Sequence, residues 1–163
     1  MSAIDEFLEH NEAFAQGFDK GDFLLLPVKK VAIVACMDAR LNPYPILGLS
    51  IGDAHVIRNA GGVITDDEIR SLAISQHLLG TEEIMLIHHT DCGMLTFNDQ
   101  DFAGKLEGET GQRPQWDARS FGDLDQDVRD SIKRIKDSPF IPRTDSVRGF
   151  VYDVETGELR EVS

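Results

Sequence analysis

Two short segments of the chain carry residues of the types that bind zinc. One contains Cys36, Asp38 and Arg40, and the other contains His89 and Cys92; each segment follows an apolar run. Thiolates and imidazoles are ligands that zinc prefers, and three protein ligands leave one tetrahedral position open. Water in an open position becomes a nucleophile near neutral pH. The pattern therefore favours a catalytic zinc site over a structural one.

The neighbours of Cys36 strengthen this interpretation, because a lone cysteine that ends a buried strand is usually a small core residue. In an extended chain residues 36, 38 and 40 point to one side, so a thiol, a carboxylate and a guanidinium would share a crevice. Burying two charges there is costly unless they pair with each other or with a metal. His89 and Cys92 have a spacing close to that common in zinc sites. His88 is the rival ligand, but in a strand it points to the opposite face.

Two other uses of the cysteines stay open at this point. Cys36 and Cys92 are the only cysteines, and a disulfide between them is one alternative, although in a reducing compartment such a pair is more often metal-binding or catalytic. A Cys-His nucleophile is another, but a cysteine protease needs neither the second cysteine nor the pair of Asp38 and Arg40. Residues 58–62 contain glycines without the G-x-G-x-x-G spacing, which argues against a dinucleotide site.

Length and composition indicate one soluble globular domain over residues 1–163. The chain has 41% hydrophobic and 28% charged residues and a formal net charge of −13. This charge repels phosphate backbones and anionic lipid, so we expect no nucleic-acid partner and no membrane surface as a partner. The sequence shows neither a secretory leader nor a membrane-spanning apolar stretch, which predicts a cytoplasmic location.

Apolar runs predict an α/β fold with a mainly parallel central sheet and flanking helices. Residues 31–36 and 84–88 are short apolar runs typical of strands buried on both faces, and residues 54–58 are a third strand candidate. Thr65 and Glu68 form a capping box that predicts a helix ending near Gly80. Ligands of such sheets gather outside the carboxyl ends of the strands, which is where both proposed metal segments lie.

The C-terminal part predicts a second helix and an antiparallel edge strand. The helix is marked by Leu124, Val128, Ile132 and Ile135, and strands over 147–154 and 159–162 form a hairpin at the sheet edge. Residues 98–122 have a weak pattern, consistent with a short helix and loops that cover the site.

Residues 1–20 predict a helical N-terminal arm. Its apolar residues approximate helical spacing, and we expect them to pack on this chain's own core or on a partner subunit. They are Ile4, Phe7, Leu8, Phe14 and Phe18.

Between about residues 31 and 97 the chain resembles the β-class carbonic anhydrases. The resemblance is carried, in the family's order and spacing, by Cys36-x-Asp38-x-Arg40, by the segment at 58–61 and by His89-x-x-Cys92 followed by glycine. It implies zinc-dependent reversible hydration of carbon dioxide to bicarbonate and a proton by hydroxide held at the metal.

The resemblance also implies a role for each site residue. Cys36, His89 and Cys92 would hold the zinc, while the remaining three residues act on the hydroxide and the substrate. Asp38 would orient the hydroxide, Arg40 would hold Asp38, and Gly93 would offer its backbone N–H to a substrate oxygen. In an alternative closed state of the family, the aspartate leaves the arginine and itself ligates zinc.

Members of this family are dimers or dimer-based larger assemblies whose N-terminal helices embrace the neighbour, which implies a homodimer here and an intersubunit role for the arm. Two departures distinguish the chain from other branches. Pro27 stands where the plant-type branch has a substrate-binding Gln, and Ile33 stands where the bicarbonate-gated branch has a Trp. The chain is therefore similar to the compact, archaeal-type branch.

Two other functions compete with carbon dioxide hydration. Some relatives on this scaffold hydrolyse carbonyl sulfide or carbon disulfide by similar hydroxide chemistry. A non-catalytic zinc scaffold or regulator, with Asp38 as a permanent fourth ligand, is less favoured because structural sites usually take four Cys or His ligands and have no need of Arg40.

Overall fold

The computed structural model describes residues 2–163 and contains one five-stranded sheet in the order β2-β1-β3-β4-β5. Strands β1 to β4 run parallel to one another, and β5 is antiparallel to β4. This confirms the predicted mainly parallel sheet with an antiparallel C-terminal edge. The strands are β1 Val31–Cys36, β2 Ala54–Asn59, β3 Glu83–His89, β4 Val147–Tyr152 and β5 Leu159–Val162.

Within residues 2–163, five α-helices connect or flank the strands, and short 3-10 turns occupy Ala60–Gly62 and Gly93–Leu95. The capping box of Thr65 and Glu68 starts α3 as predicted, but the helix ends at His77, before Gly80. The α-helices are α1 Ala3–Gln16, α2 Pro43–Leu47, α3 Asp66–His77, α4 Asp99–Thr110 and α5 Leu124–Asp137.

The core occupies both faces of the sheet, which explains why β1 is a continuous apolar run. Alternate residues of a strand point to opposite faces. Ala32 and Val34 pack with residues of α3 and α5, whereas Ile33 and Ala35 pack on the other face with residues such as Leu41. Packing on both faces therefore holds β1, and with it the residue at its carboxyl end, in a fixed position.

Helix α1 does not pack on this chain's own core, because none of its residues is buried. Ser2 caps the helix with Asp5, while residue 1 of the predicted arm lies outside the described residues. Helix α4 occupies the segment with the weak pattern and also buries no residue. Over residues 2–163, no helix is both long enough and apolar enough to cross a membrane.

Candidate metal centre

The parallel pairing of β1 and β3 brings the predicted ligands together. The strands are direct neighbours, with Ala35 opposite Ile87, so their carboxyl ends meet at one edge of the sheet. Cys36 ends β1, His89 ends β3, and Cys92 follows in the next turn. All three are buried, and their donor atoms lie within 4.8 Å of one another. The structure thus assembles the predicted ligand group from two distant parts of the chain.

The His89 ring has one nitrogen, Nε2, that is available to bind a metal. Its Nδ1 lies 2.7 Å from the carbonyl oxygen of Thr90, to which it donates. Its Nε2 is buried and has no hydrogen-bond partner among residues 2–163. A ring fixed through one nitrogen presents the lone pair of the other, as in histidines that ligate metals. Nε2 therefore fits a metal ligand directed at the two sulfurs.

The two thiols shift each other's pKa in opposite directions. The pKa of Cys36 is lowered, first because the Cys92 thiol donates a hydrogen bond to it. The pKa of Cys92 is raised by the same bond and by burial. Both cysteines are free rather than joined in a disulfide. Two adjacent buried thiolates need a cation for compensation, and metals bind the deprotonated form. The donor set of two sulfurs and one nitrogen fits zinc.

Asp38 and Arg40 form a bidentate pair beside the ligands. Arg40 Nε and Nη2 donate to the two carboxylate oxygens of Asp38 at 3.0 and 2.8 Å, and the Arg40 backbone N–H donates at 2.9 Å. These bonds hold the pKa of Asp38 well below its usual range. Asp38 Oδ2 lies 3.7 Å from His89 Nε2. The structure therefore places an ionised carboxylate at the edge of the ligand group.

Arg58 braces the loop that carries Asp38, a contact that sequence reasoning missed. Its guanidinium donates to the carbonyl oxygens of Cys36, Asp38 and Leu41, at distances from 2.6 to 3.1 Å. It comes from the end of β2, next to β1. The motif at 58–61 included this residue, but only the strand order shows which carbonyls it reaches.

Glycine at position 62 allows the backbone to pass directly behind the ligands. Gly62 has a φ of 69°, and a Cβ placed there would lie 3.0 Å from the Cys36 nitrogen and 3.1 Å from the Ile87 carbonyl oxygen. Only glycine adopts this conformation without cost and leaves that space free. The sequence analysis used this segment only to argue against a dinucleotide site and as part of the family resemblance, and did not predict its packing against both strands.

A small, mostly apolar cavity opens over the ligands. Its volume is about 170 Å³. Asp38 lines it together with Gly93, the predicted substrate contact. Its lining comprises Cys36, Met37, Asp38, Ala60, Gly61, His89, Cys92, Gly93 and Met94.

These features define a β/α protein with a Cys-His-Cys centre at the carboxyl edge of its sheet. A family model described as carbonic anhydrase matches residues 31–159. Beta-carbonic anhydrase 1 of Mycobacterium tuberculosis (strain ATCC 25618 / H37Rv) is 57% identical over 163 residues, covering 100% of this chain and 99% of that protein. The chain therefore belongs to the carbonic anhydrase family, in its β class, which confirms the resemblance and the predicted enzyme class.

A solved structure has a similar fold, and one relative is named for a different activity. The crystal structure of a carbonic anhydrase from Streptococcus mutans has a TM-score of 0.93 and 45% identity, and the match covers 100% of this chain and 99% of that one. A protein named carbon disulfide hydrolase from Saccharolobus solfataricus is 32% identical over 183 residues, covering 97% of this chain and 88% of that protein.

Proposed function

We propose that this chain catalyses the reversible hydration of carbon dioxide to bicarbonate and a proton, with zinc held by Cys36, His89 and Cys92. The observation that carries the proposal is the buried group of two sulfurs and one bare nitrogen, with Asp38 beside it. The relative that is 57% identical over the whole chain is named a β-carbonic anhydrase, which supports the same reaction.

Zinc bound by these three residues would act as a Lewis acid and make water available as a nucleophile near neutral pH. Cys36 and Cys92 bind as thiolates, because only the deprotonated sulfur ligates a metal. The bond from His89 Nδ1 to Thr90 fixes the ring, so that Nε2 faces the sulfurs. The residues thus supply a rigid, negatively charged ligand set with room for solvent.

Asp38 and Arg40 have orienting roles in this proposal. Asp38 is ionised because Arg40 lowers its pKa. Its Oδ1 accepts two bonds from Arg40, whereas its Oδ2 accepts one, from Nη2, and so retains a lone pair. Asp38 therefore accepts a hydrogen bond from the reacting water and orients it toward substrate. Arg40 keeps Asp38 in that position through two parallel N–H bonds.

The cavity suits a small, weakly polar substrate. Ala60 and Met94 contribute apolar lining, and we propose that the Gly93 backbone N–H donates to a substrate oxygen. The electrostatic stabilisation of developing charge by such a donor is a general feature of enzyme sites. The negative charge of the whole chain favours departure of the bicarbonate anion.

The test compares three substrates on the zinc-loaded protein. Carbon dioxide hydration is followed by stopped flow, and hydrolysis of carbonyl sulfide and carbon disulfide by release of hydrogen sulfide. The Cys92→Ala variant is the matched control, because it lacks one ligand. We expect rapid hydration that this variant loses. Faster turnover of either sulfur compound would instead favour the activity named for the relative at 32% identity.

We further propose a single domain over residues 1–163 whose arm, residues 1–20, joins two copies in a homodimer or a dimer-based assembly. Helix α1 exposes Ile4 (67%), Phe7 (65%) and Leu8 (58%) in the single chain. Contiguous exposed apolar side chains of this kind mark interaction surfaces. The free thiols of both cysteines suit a reducing compartment, so we propose that the protein works in the cytoplasm.

A further inference from the structure

Arg40 is held by a second acidic residue as well as by Asp38. Its Nη1 donates to Asp91 Oδ2 at 2.8 Å, and its Nη2 donates to the Asp91 carbonyl oxygen at 3.0 Å. The opposite edge of the guanidinium binds Asp38. All three nitrogen atoms of the guanidinium are therefore engaged, two by Asp91 and two by Asp38, with Nη2 shared.

The backbone of Asp91 is shaped for this contact. Its φ is 52°, in the left-handed region, which Asp tolerates better than most residues. In this conformation the carbonyl and the carboxylate of one residue both bind one guanidinium. Asp91 directly precedes Cys92, and Arg40 lies in the loop that follows Cys36. The contact thus links the two loops that carry the ligands.

We propose that Asp91 is a positioning residue that clamps Arg40 and thereby holds Asp38 in its orienting position. This rests on the proposed function of the centre. Without the clamp, Arg40 would be held on one edge only, and its long side chain would sample other rotamers. Asp38 lies 3.7 Å from His89 Nε2, so a carboxylate released from Arg40 would be drawn toward the bound cation and lose its orienting geometry.

The expected effect is modest, because the Asp91 side chain is 78% exposed and exposed ion pairs contribute little. We expect Asp91→Gly to lower kcat for carbon dioxide hydration about threefold to fivefold. KM and zinc content should be unchanged, since Asp91 touches neither substrate nor metal. Glycine adopts the left-handed conformation freely, so this variant removes the side chain without straining the loop.

Two comparisons separate positioning from a general loss of structure or charge. Asp91→Asn keeps the shape of the side chain and one oxygen acceptor. Its kcat should therefore lie between the values of Asp91→Gly and of the wild type. Asp145→Asn removes the same charge from an exposed residue before β4, at the opposite end of the sheet, and should match the wild type. On an Arg40→Ala background, Asp91→Gly should cause no further loss, because Asp91 acts only through Arg40.

A second readout does not depend on activity. In the zinc-loaded protein, nitrogen NMR measures how fast the Nη1 and Nη2 positions of Arg40 exchange by rotation of the guanidinium. We expect faster exchange in Asp91→Gly and wild-type exchange in Asp145→Asn. Unchanged exchange, an unchanged kcat, or a further loss on the Arg40→Ala background would overturn the proposal. An inactive wild type would refute the hydration function alone, and the exchange rates would still decide the clamp.

Discussion

His88 and His89 are consecutive in β3 and bond on opposite faces of the sheet. His88 Nε2 lies 2.7 Å from the carboxylate of Asp127 on α5, and its ring packs 5.5 Å from the ring of Phe121. His89 Nε2 instead has no hydrogen-bond partner in the described part of the chain. The alternation of strand side chains thus assigns one histidine to the helix-covered face and the other to the ligand group. This is the assignment predicted from the sequence for His88.

The His88 bond should contribute to stability and not to metal binding. We expect Asp127→Ala to lower the free energy of unfolding by about 1–3 kcal/mol, because it leaves a buried donor without its acceptor. Urea unfolding measures this loss, and zinc content should stay at the wild-type level. Asp130→Ala, an exposed change on the same helix, should shift the free energy of unfolding by less than about 0.5 kcal/mol. Equal effects of the two changes would contradict this account of the pair.

Removal of a ligand and removal of an orienting residue should give different results. We expect Cys36→Ala and Cys92→Ala to lose the metal. Asp38→Asn and Arg40→Ala should keep it but lower turnover about 10- to 100-fold, because misoriented reactants react more slowly. Elemental analysis of the four purified variants, together with hydration rates, checks both expectations. A zinc-replete Asp38→Asn variant with full turnover would remove Asp38 from the mechanism.

The rate should rise toward alkaline pH, and Asp38 should not be the group that titrates. Two thiolates cancel the formal charge of a divalent ion, so we expect weaker polarisation of water than in three-histidine sites, where its pKa is about 7. The pKa of Asp38 is lowered by Arg40, so Asp38 stays ionised at every pH above that lowered value. The test measures the hydration rate from about pH 6 to about pH 9, a range that includes the water pKa of three-histidine sites. A flat profile would contradict the electrostatic argument.

The same lowered pKa has a consequence for stability. A carboxylate with a depressed pKa in the folded state stabilises the fold above its unfolded pKa of about 3.9 and loses this effect as the pH falls through the folded value. The Asp38 contribution should thus be constant near neutral pH and decline only in acid.

The backbone behind the ligands should not accept a side chain. We expect Gly62→Ala to destabilise the protein by about 1–3 kcal/mol and to weaken zinc binding, because its Cβ would press on the Cys36 backbone. Gly80→Ala is the matched control: Gly80 also has a positive φ, of 74°, but apart from its chain neighbours no atom of residues 2–163 lies within 4 Å of the added Cβ. It should cost conformational strain alone and leave zinc affinity unchanged. Thermal unfolding and a zinc competition titration measure the two quantities.

The apolar face of α1 should control assembly. We expect Phe7→Ser to shift the protein from dimer toward monomer, because it removes a large exposed apolar side chain from the proposed contact. Sedimentation velocity over a range of concentrations measures the shift. Glu12→Gln, on the same exposed helix, should leave the distribution unchanged. A wild type that is monomeric at all concentrations would contradict the proposed homodimer.

Much of the fold could be predicted because its signals are local. The apolar run that forms β1 and the capping box at Thr65 depend on a few adjacent residues, and both appear where expected. The end of α3 was placed too late, because Gly80 marks the following turn and not the last helical residue. The short helix α2 was missed, since five residues give too little periodicity to detect.

The contacts around the centre were harder to predict because they join residues that are distant in sequence. Asp91 lies at an unspecified position of the His89-x-x-Cys92 motif, and its bond to Arg40 depends on how two loops face each other. Arg58 reaches three carbonyls only because β2 lies beside β1. Ligand types follow from residue identity, whereas their supporting contacts follow from topology.

The neighbouring positions of β1 and β3 have one more consequence. Cys36 and His89 are separated in the chain by all of β2 and α3, yet they meet at one edge of the sheet. A single ion bound there would fasten the two central strands and close a long loop, much as a cross-link does, and so restrict the unfolded chain. Chelation would therefore loosen the middle of the sheet as well as stop turnover.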